Sequence, residues 1–274
     1  MTDLQAITGP GRRARPLVTI HGLRRGATRV RLTLAAGLRL REPVVVALIA
    51  TLVLSLYFVA LPGVDLAISA LFHSPEGFTL SQDPALRALR KSSSWVMGLM
   101  LLGLLATVAG GLLRDPRRLT LPARRALVLI AGLALASGVV VNGVLKSLWG
   151  RARPIQIETF GGEAEFTRAW QVTDQCLSNC SFVSGEGSSA AWMVAVIVLM
   201  CPASLRTWIL PLAVGYGWAL SLNRIAFGGH FLSDILLSWA LTALVIAGLH
   251  RLLLTCPRMA RQTRRARRRI AVSA

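Results

Sequence analysis

The feature that most constrains this chain is a succession of six apolar runs, each bounded by polar or basic residues. The runs cover residues 43–61, 95–113, 126–145, 190–200 with its flanks, 207–222 and 231–254. A hydrocarbon layer of about 30 Å needs roughly 20 apolar residues in a helix. A mean hydropathy of +0.57 is typical of a polytopic membrane protein. The sequence therefore predicts an all-α fold, a bundle of six transmembrane helices.

The basic residues lie mainly outside these apolar runs. The formal net charge is +19, with nine Arg in residues 1–42, eight in residues 251–274 and five between Arg114 and Arg125. Basic flanks of this kind mark cytoplasmic segments and attract anionic lipid headgroups. The C-terminal tail has no aromatic residues among its cations, which disfavours nucleic-acid binding. We therefore expect the tails to contact anionic lipid and no nucleic acid.

The number of spans sets the topology. An even number places both termini on one side of the membrane, and the basic flanks assign that side to the cytoplasm. The chain then divides into a basic cytoplasmic tail at 1–42, a six-span domain at 43–254 and a second basic cytoplasmic tail at 255–274. The loops at 62–93, 146–186 and 223–230 share the opposite side. We expect a bacterial inner membrane protein whose active site lies at the outer, periplasmic boundary.

Residues 221–234 place three ionisable side chains, Arg224, His230 and Asp234, in an otherwise apolar region. Ionisable groups at a membrane boundary are costly and usually functional. His230 and Asp234 are four residues apart, so on a helix they share a face. Asp234 can then hold one imidazole nitrogen and leave the other free to act as a nucleophile. Arg224 can bind an anion nearby. A buried polar cluster at a helix end is the alternative.

The third apolar run ends in a cluster of cations at Lys146, Arg151 and Arg153. They lie on the side where the positive-inside rule disfavours them. Three cations can clamp a phosphate and neutralise the charge that builds in a phosphoryl-transfer transition state. The alternative is that they extend to lipid headgroups.

Ser184 and Gly185 directly precede the fourth run. At the opening of a helix, exposed backbone N–H groups and the helix dipole form an anion site. Glu186 is then either a favourable charge at the helix N-terminus or a catalytic acid.

Cys176 and Cys180 lie four residues apart in the same loop. A helical turn brings their Cα atoms within the disulfide range of roughly 4.4–6.8 Å, and an oxidising exterior permits the bond. We predict a disulfide and no metal site, because no His or further Cys lies nearby to complete a zinc site.

Three motifs now occur in order: Lys146-x6-Arg153-Pro154, then Ser184-Gly185, then Arg224-x5-His230-x3-Asp234. This arrangement resembles the three-part signature of the type 2 phosphatidic acid phosphatase family of membrane lipid phosphatases. The resemblance extends to the six-span layout and covers roughly residues 43–254.

The resemblance implies a role for each motif residue. His230 is the nucleophile that forms a phosphohistidine, and Asp234 orients it. The family needs no metal or other cofactor. The phosphate is bound by Lys146, Arg153, Ser184, the Gly185 backbone and Arg224.

The second motif departs from the family pattern. The family usually reads Pro-Ser-Gly-His, and this chain has Val183-Ser184-Gly185-Glu186; in addition, Asn223 replaces the Ser before the third-motif Arg. The missing His is the family's proton donor to the leaving group. Glu186 can replace it only if partial burial keeps its carboxyl protonated. Otherwise the substrate has a leaving group that needs little protonation, such as the phosphate that leaves from a diphosphate or an anomeric sugar oxygen.

The resemblance therefore predicts an enzyme, a lipid phosphate phosphatase acting on an outer-leaflet lipid. At position 186 the chain has an acidic residue, and in this it resembles lipid A phosphatases. This resemblance favours a lipid A-type or prenyl diphosphate substrate over plain phosphatidic acid. A lipid phosphotransferase using the same phosphohistidine is the first alternative. A non-catalytic lipid-binding member is the second. The sequence predicts no particular oligomeric state.

Overall fold

The computed structural model describes residues 42–116 and 118–255. The predicted tails at 1–42 and 255–274 fall, except for their innermost residues, outside this description. In the described residues the chain forms helices and no β-strand. The long helices are α1 (Pro43–Ala60), α2 (Gly63–Ala70), α3 (Pro84–Arg114), α4 (Leu121–Leu148), α5 (Gly185–Met200), α6 (Ala203–Ala226) and α7 (Leu232–Thr255). The predicted all-α class is confirmed for this part of the chain.

Four of these helices, α1, α3, α4 and α7, are long and apolar enough to cross a membrane. The chain is therefore a membrane protein. Helix α5 is apolar but has only 16 residues, and α6 has 24 residues but carries Arg206 and Arg224. Both occur where the sequence predicts spans four and five, so the count of six spans stays a prediction.

Helix α3 differs from the expected layout. The sequence predicts a second span at 95–113 after a loop at 62–93, but the structure has one helix of 31 residues that begins at Pro84. Asp83 caps it, because its side chain accepts a hydrogen bond from the Leu86 backbone N–H at 2.9 Å. Pro84 occupies the first helical position, where a missing N–H costs nothing. The polar start of α3 is thus a rigid extension of an apolar helix.

Helix α7 occupies the middle of the fold, packing against α1, α2, α4 and α5. Small residues permit close approach: a Cβ on Gly132 of α4 would lie 2.9 Å from the Ile246 side chain. Hydroxyls also link the helices, since Ser188 Oγ lies 2.7 Å from both Ser137 Oγ and Thr242 Oγ1. These contacts pack the start of α5 and the middle of α4 against the middle of α7.

Candidate active site

The second and third motifs meet where α5 and α7 begin. Ser184 caps α5, its Oγ accepting a hydrogen bond from Gly187 N–H at 3.1 Å. The Ser184 backbone N–H donates to the Asp234 carbonyl oxygen at 3.1 Å. The anion-binding end of α5 therefore lies directly against the first turn of α7.

His230 lies just before α7 and is only 2% exposed. Its Nδ1 is 2.8 Å from the carbonyl oxygen of Ser181. Because a carbonyl only accepts, Nδ1 carries the proton and Nε2 keeps its lone pair. The direct bond expected from Asp234 is not formed, since Nδ1 to Oδ2 is 3.8 Å, too long for a hydrogen bond. The imidazole is thus oriented by a backbone carbonyl.

Burial lowers the pKa of His230 to about 4, against the opposing attraction of the Asp234 carboxylate. Neighbouring Arg224 and Lys146 lower it further. The imidazole is therefore neutral at neutral pH, which is the form that can act as a nucleophile.

Asp234 acts on the histidine through Ser181. The Ser181 Oγ donates to Asp234 Oδ2 at 2.6 Å, so the carboxylate fixes the residue whose carbonyl binds His230. The same oxygen accepts from the Phe231 N–H at 2.9 Å and so closes the first turn of α7. All of these groups are buried.

Arg151 has a different place from the one expected. It is fully buried, and it donates to Asp234 Oδ1 at 2.8 Å and to Asp65 Oδ2 at 2.9 Å. Its Nη1 also donates to Ser233 Oγ and its Nε to the Thr167 carbonyl, each at 2.8 Å. With its donors occupied, it is not available to a phosphate and instead supports Asp234.

Asp65 completes this buried network and was not singled out by the sequence. It comes from α2, and its two oxygens accept from the N–H and the Oγ of Ser233 at 2.8 and 2.6 Å. Burial raises the pKa of Asp65, while the charge of Arg151 opposes the rise. An acid within the apolar stretch Gly63–Ala70 is itself a signal, because such a charge needs a partner.

The cations of the first motif are held by Asn179. Arg153 Nη2 donates to the Asn179 carbonyl at 2.7 Å, and Lys146 Nζ donates to its side-chain oxygen at 3.2 Å. Lys146 lies close enough to Arg153 and Arg224 for their charges to interact. The three predicted phosphate ligands therefore form one cluster.

A disulfide joins Cys176 to Cys180, with Cα atoms 5.7 Å apart. It closes the short loop that contains Asn179, so the covalent bond lies next to the residue that holds two of the cations. Among the described residues, no group of three or more His, Cys, Asp or Glu side chains is arranged to hold a metal ion.

Arg224 is 4% exposed and lies in the last turn of α6. Its guanidinium packs on Gly229, where any side chain would collide with Nη2. Its Nε is 3.2 Å from Glu186 Oε2, yet the angle does not make a hydrogen bond, and Nε has no other acceptor among the described residues. The contact is an ion pair that leaves Arg224 with unused donor capacity.

Glu186 lies in the first turn of α5 and forms two ion pairs. Besides Arg224, it accepts a hydrogen bond from Arg90 Nε at 2.9 Å. Of the two expected roles, this arrangement favours the charge at a helix N-terminus, because each carboxylate oxygen already faces a guanidinium group. The role of catalytic acid stays a prediction.

A cavity of about 690 Å³ opens beside this cluster, bordered by Arg153, Glu186 and Arg224 from the three motifs and by the first turns of α3. The fold and the site thus define an integral membrane protein with a neutral, buried histidine beside a cationic pocket at the helix ends. Such a pocket suits a phosphate.

Residues 127–258 match the model of the PAP2 superfamily. The resemblance drawn from the three motifs is confirmed to this extent: just under half of the chain matches that family's model.

Relatives agree with this assignment. The lipid A 4'-phosphatases of Rhizobium etli and Rhizobium leguminosarum are each 39% identical over 127 residues, which is 46% of this chain and 49% or 54% of theirs. The lipid A 4'-phosphatase of Francisella tularensis subsp. novicida is 39% identical over 113 residues, 41% of this chain and 51% of its own. The chain thus spans about half the length of the curated relatives it matches.

One solved structure is also similar, that of a transmembrane PAP2-type phosphatidylglycerolphosphate phosphatase from Bacillus subtilis. It is 19% identical, with a TM-score of 0.49, over 77% of this chain and 95% of that one. At this sequence identity and TM-score, the similarity does not show a shared function.

Proposed function

We propose that this protein is a metal-independent membrane lipid phosphatase that hydrolyses a phosphate monoester or diphosphate through a phosphohistidine at His230. The observation that carries the proposal is the state of that histidine. Its Nδ1 is bonded to the Ser181 carbonyl at 2.8 Å and its pKa is lowered to about 4 by burial. A neutral imidazole with a free Nε2, close to three cations, is arranged for attack on phosphorus.

Substrate binding follows from the charges. The phosphate oxygens take the donors of Lys146, Arg153 and Arg224, together with the N–H groups at the start of α5. The phosphate then competes with the Glu186 carboxylate for Arg224. The hydrocarbon chains of the lipid stay in the bilayer, which four apolar helices of the chain are long enough to cross.

In the chemical step, Nε2 attacks phosphorus in line with the leaving oxygen. The P–O bond to the lipid breaks as the P–N bond forms, and the cations neutralise the charge on the phosphoryl oxygens. Water then hydrolyses the phosphohistidine and restores His230. Arg151 and Asp65 keep Asp234, and through it Ser181, in position during both steps.

A lipid A-type substrate is favoured, with a prenyl diphosphate second. Relatives 39% identical to this chain are lipid A 4'-phosphatases, and Glu186 is ion-paired. A diphosphate or an anomeric sugar phosphate offers a better leaving group than a simple alkoxide, so it depends less on a proton donor. A 4'-phosphate is not anomeric and lacks this advantage, so for such a substrate the proposal rests on the relatives alone.

We also propose that the site faces the periplasm of a bacterial inner membrane, with both termini in the cytoplasm. The basic flanks support this orientation. A disulfide between Cys176 and Cys180 supports it independently, because such bonds persist in oxidising compartments.

The test uses the full chain purified in detergent with a chelator present. Lipid A, undecaprenyl diphosphate, phosphatidylglycerophosphate and phosphatidic acid are supplied in turn, and free phosphate is measured. We expect release from lipid A or the diphosphate, and none from His230→Ala protein. Label that moves from donor lipid to an acceptor lipid, without free phosphate, would instead identify a phosphotransferase. No turnover of any of the four would contradict the proposed function.

A further inference from the structure

A second group of cations borders the cavity and belongs to none of the three motifs. Arg87, Arg90 and Lys91 lie on α3 at spacings of three and four residues, so they share one face of the helix. All three line the same cavity as Arg153 and Arg224. This α3 basic face is rigid, because the polar start of α3 continues an apolar helix of 31 residues.

The charge in the cavity exceeds what one phosphate needs. Five cations line it, and Glu186 is the carboxylate among the lining residues. One phosphate carries about two negative charges near neutral pH, and the motif cations Lys146, Arg153 and Arg224 already match it. The α3 basic face therefore adds positive charge beyond what one phosphate needs.

The position of these cations on α3 is unfavourable for the helix itself. They lie in its first two turns, at the end where the helix dipole disfavours positive charge. Helix α3 itself contains no Asp or Glu, and the acid at its start, the cap Asp83, is at helical spacing from Arg87 but not from Arg90 or Lys91. Lys91 has no ion-pair partner within the described part of the chain. Such a placement indicates a ligand.

Two of the three side chains have fixed positions. Arg87 Nε donates to the Ser81 carbonyl at 2.8 Å, which leaves its terminal nitrogens free. Arg90 Nε donates to Glu186 at 2.9 Å, and the same carboxylate lies 3.2 Å from Arg224 Nε. Glu186 therefore bridges Arg224 of the third motif and Arg90 of the α3 basic face.

We infer that the α3 basic face is a second anion-binding subsite, which takes a second phosphate or comparable anion while the first phosphate lies at His230. This inference rests on the proposed function and adds a second anion to it, carried either by the substrate lipid itself or by a neighbouring anionic lipid. Glu186 keeps the two anions apart, since its own charge repels a phosphate placed between Arg224 and Arg90.

The test compares two matched glycolipid substrates in neutral detergent: a bisphosphorylated disaccharide lipid and the same lipid without the second phosphate. The wild-type chain is compared with the double variant Arg87→Gln/Lys91→Gln. We expect the kcat/KM ratio between the two lipids to fall about tenfold in the double variant, as two partly exposed charge contacts are lost. Arg114→Gln, a cation at the other end of α3, should keep the wild-type ratio.

A further arm separates the two sources of the second anion. The one-phosphate lipid is assayed in micelles with and without phosphatidylglycerol. Activation by phosphatidylglycerol that disappears in the double variant would place the anion on a neighbouring lipid. A preference for the bisphosphorylated lipid in neutral micelles places it on the substrate. A wild-type ratio near one in neutral micelles, without activation by phosphatidylglycerol, overturns the inference, as does an unchanged ratio in the double variant.

A binding measurement tests this inference separately from the proposed function. Equilibrium binding of the same two lipids is measured with His230→Ala protein, in which catalysis is not required. Tighter binding of the bisphosphorylated lipid, lost on adding Arg87→Gln/Lys91→Gln, supports the subsite even if no phosphate is released. Equal binding of both lipids overturns the subsite even if the wild type is an active phosphatase.

Discussion

Arg151 Nη1 and Asp234 Oδ1 form an ion pair at 2.8 Å, with both side chains fully buried. The pair links the segment after α4 to the first turn of α7, and Asp65 of α2 extends it. Three separate parts of the chain thus converge behind His230. The network positions the histidine without touching a substrate.

Arg151→Met should therefore destabilise the protein and impair catalysis together. Removing one partner of a buried pair leaves an uncompensated charge and costs about 3–5 kcal/mol. The free energy of unfolding in detergent and the phosphatase rate check both effects. Arg168→Gln, an exposed arginine in the same segment, serves as the control. A stable and fully active Arg151→Met protein would show that the network is dispensable.

The pH dependence should report the buried histidine. Burial lowers the pKa of His230 to about 4, so activity that needs the neutral imidazole persists in acid well below pH 6.5. In the unfolded chain the imidazole of His230 takes up a proton at about pH 6.5, whereas in the folded chain it stays neutral down to about pH 4. Stability therefore falls as pH decreases through this window.

The measurement is the free energy of unfolding between pH 7 and pH 4, for wild type and for His230→Ala. The histidine contributes about 3 kcal/mol of this pH dependence, which the variant should lack. Identical slopes for the two proteins would mean that His230 is not buried in its neutral form.

Reduction of the disulfide should weaken substrate binding more than chemistry. The bond between Cys176 and Cys180 fixes the loop of Asn179, which holds Lys146 and Arg153. We expect Cys176→Ser/Cys180→Ser to raise KM about tenfold, on the order of one charge-assisted hydrogen bond, with kcat little changed. Cys201→Ser, which removes a free thiol, is the control. An unchanged KM would show that this loop does not contribute to phosphate binding.

Glu186→Gln should tighten phosphate binding. The carboxylate holds Arg224 and Arg90, and its loss frees both guanidinium groups for the ligand. The inhibition constant of inorganic phosphate should fall about tenfold, as a competing charge contact is removed. The kcat on a diphosphate substrate should stay within about threefold of wild type. A fall of kcat by about a hundredfold or more, with binding retained, would identify Glu186 as the proton donor.

Much of this arrangement was predictable because membrane burial imposes strong patterns. The apolar runs predict the helices, and the ionisable residues at or near their boundaries indicate the candidate site, as Arg224, His230 and Asp234 do. The continuity of α3 was not predictable, because its polar start has no apolar period and depends on the Asp83 cap. The start of that helix supplies Arg90, the second partner of Glu186.

Other parts of the site depend on contacts between segments distant in sequence. Asp65 and Asp234 are far apart in the chain, and nothing in either segment indicates that Arg151 joins them. For the same reason Arg151 resembles a phosphate ligand in the sequence and is a buried support in the structure. The hydrogen bond from His230 to the Ser181 carbonyl involves a backbone atom, on which sequence motifs carry no information.

The central claim is that His230 carries the phosphoryl group. The direct measurement is rapid quenching of the purified chain in alkaline denaturant after mixing with a lipid labelled at its phosphate, followed by analysis of protein-bound label. Wild-type protein should show label that is stable in base and lost in acid, as a phosphoramidate bond is, and His230→Ala should show none. Release of phosphate by His230→Ala at the wild-type rate, or equal labelling of that variant, would contradict the account.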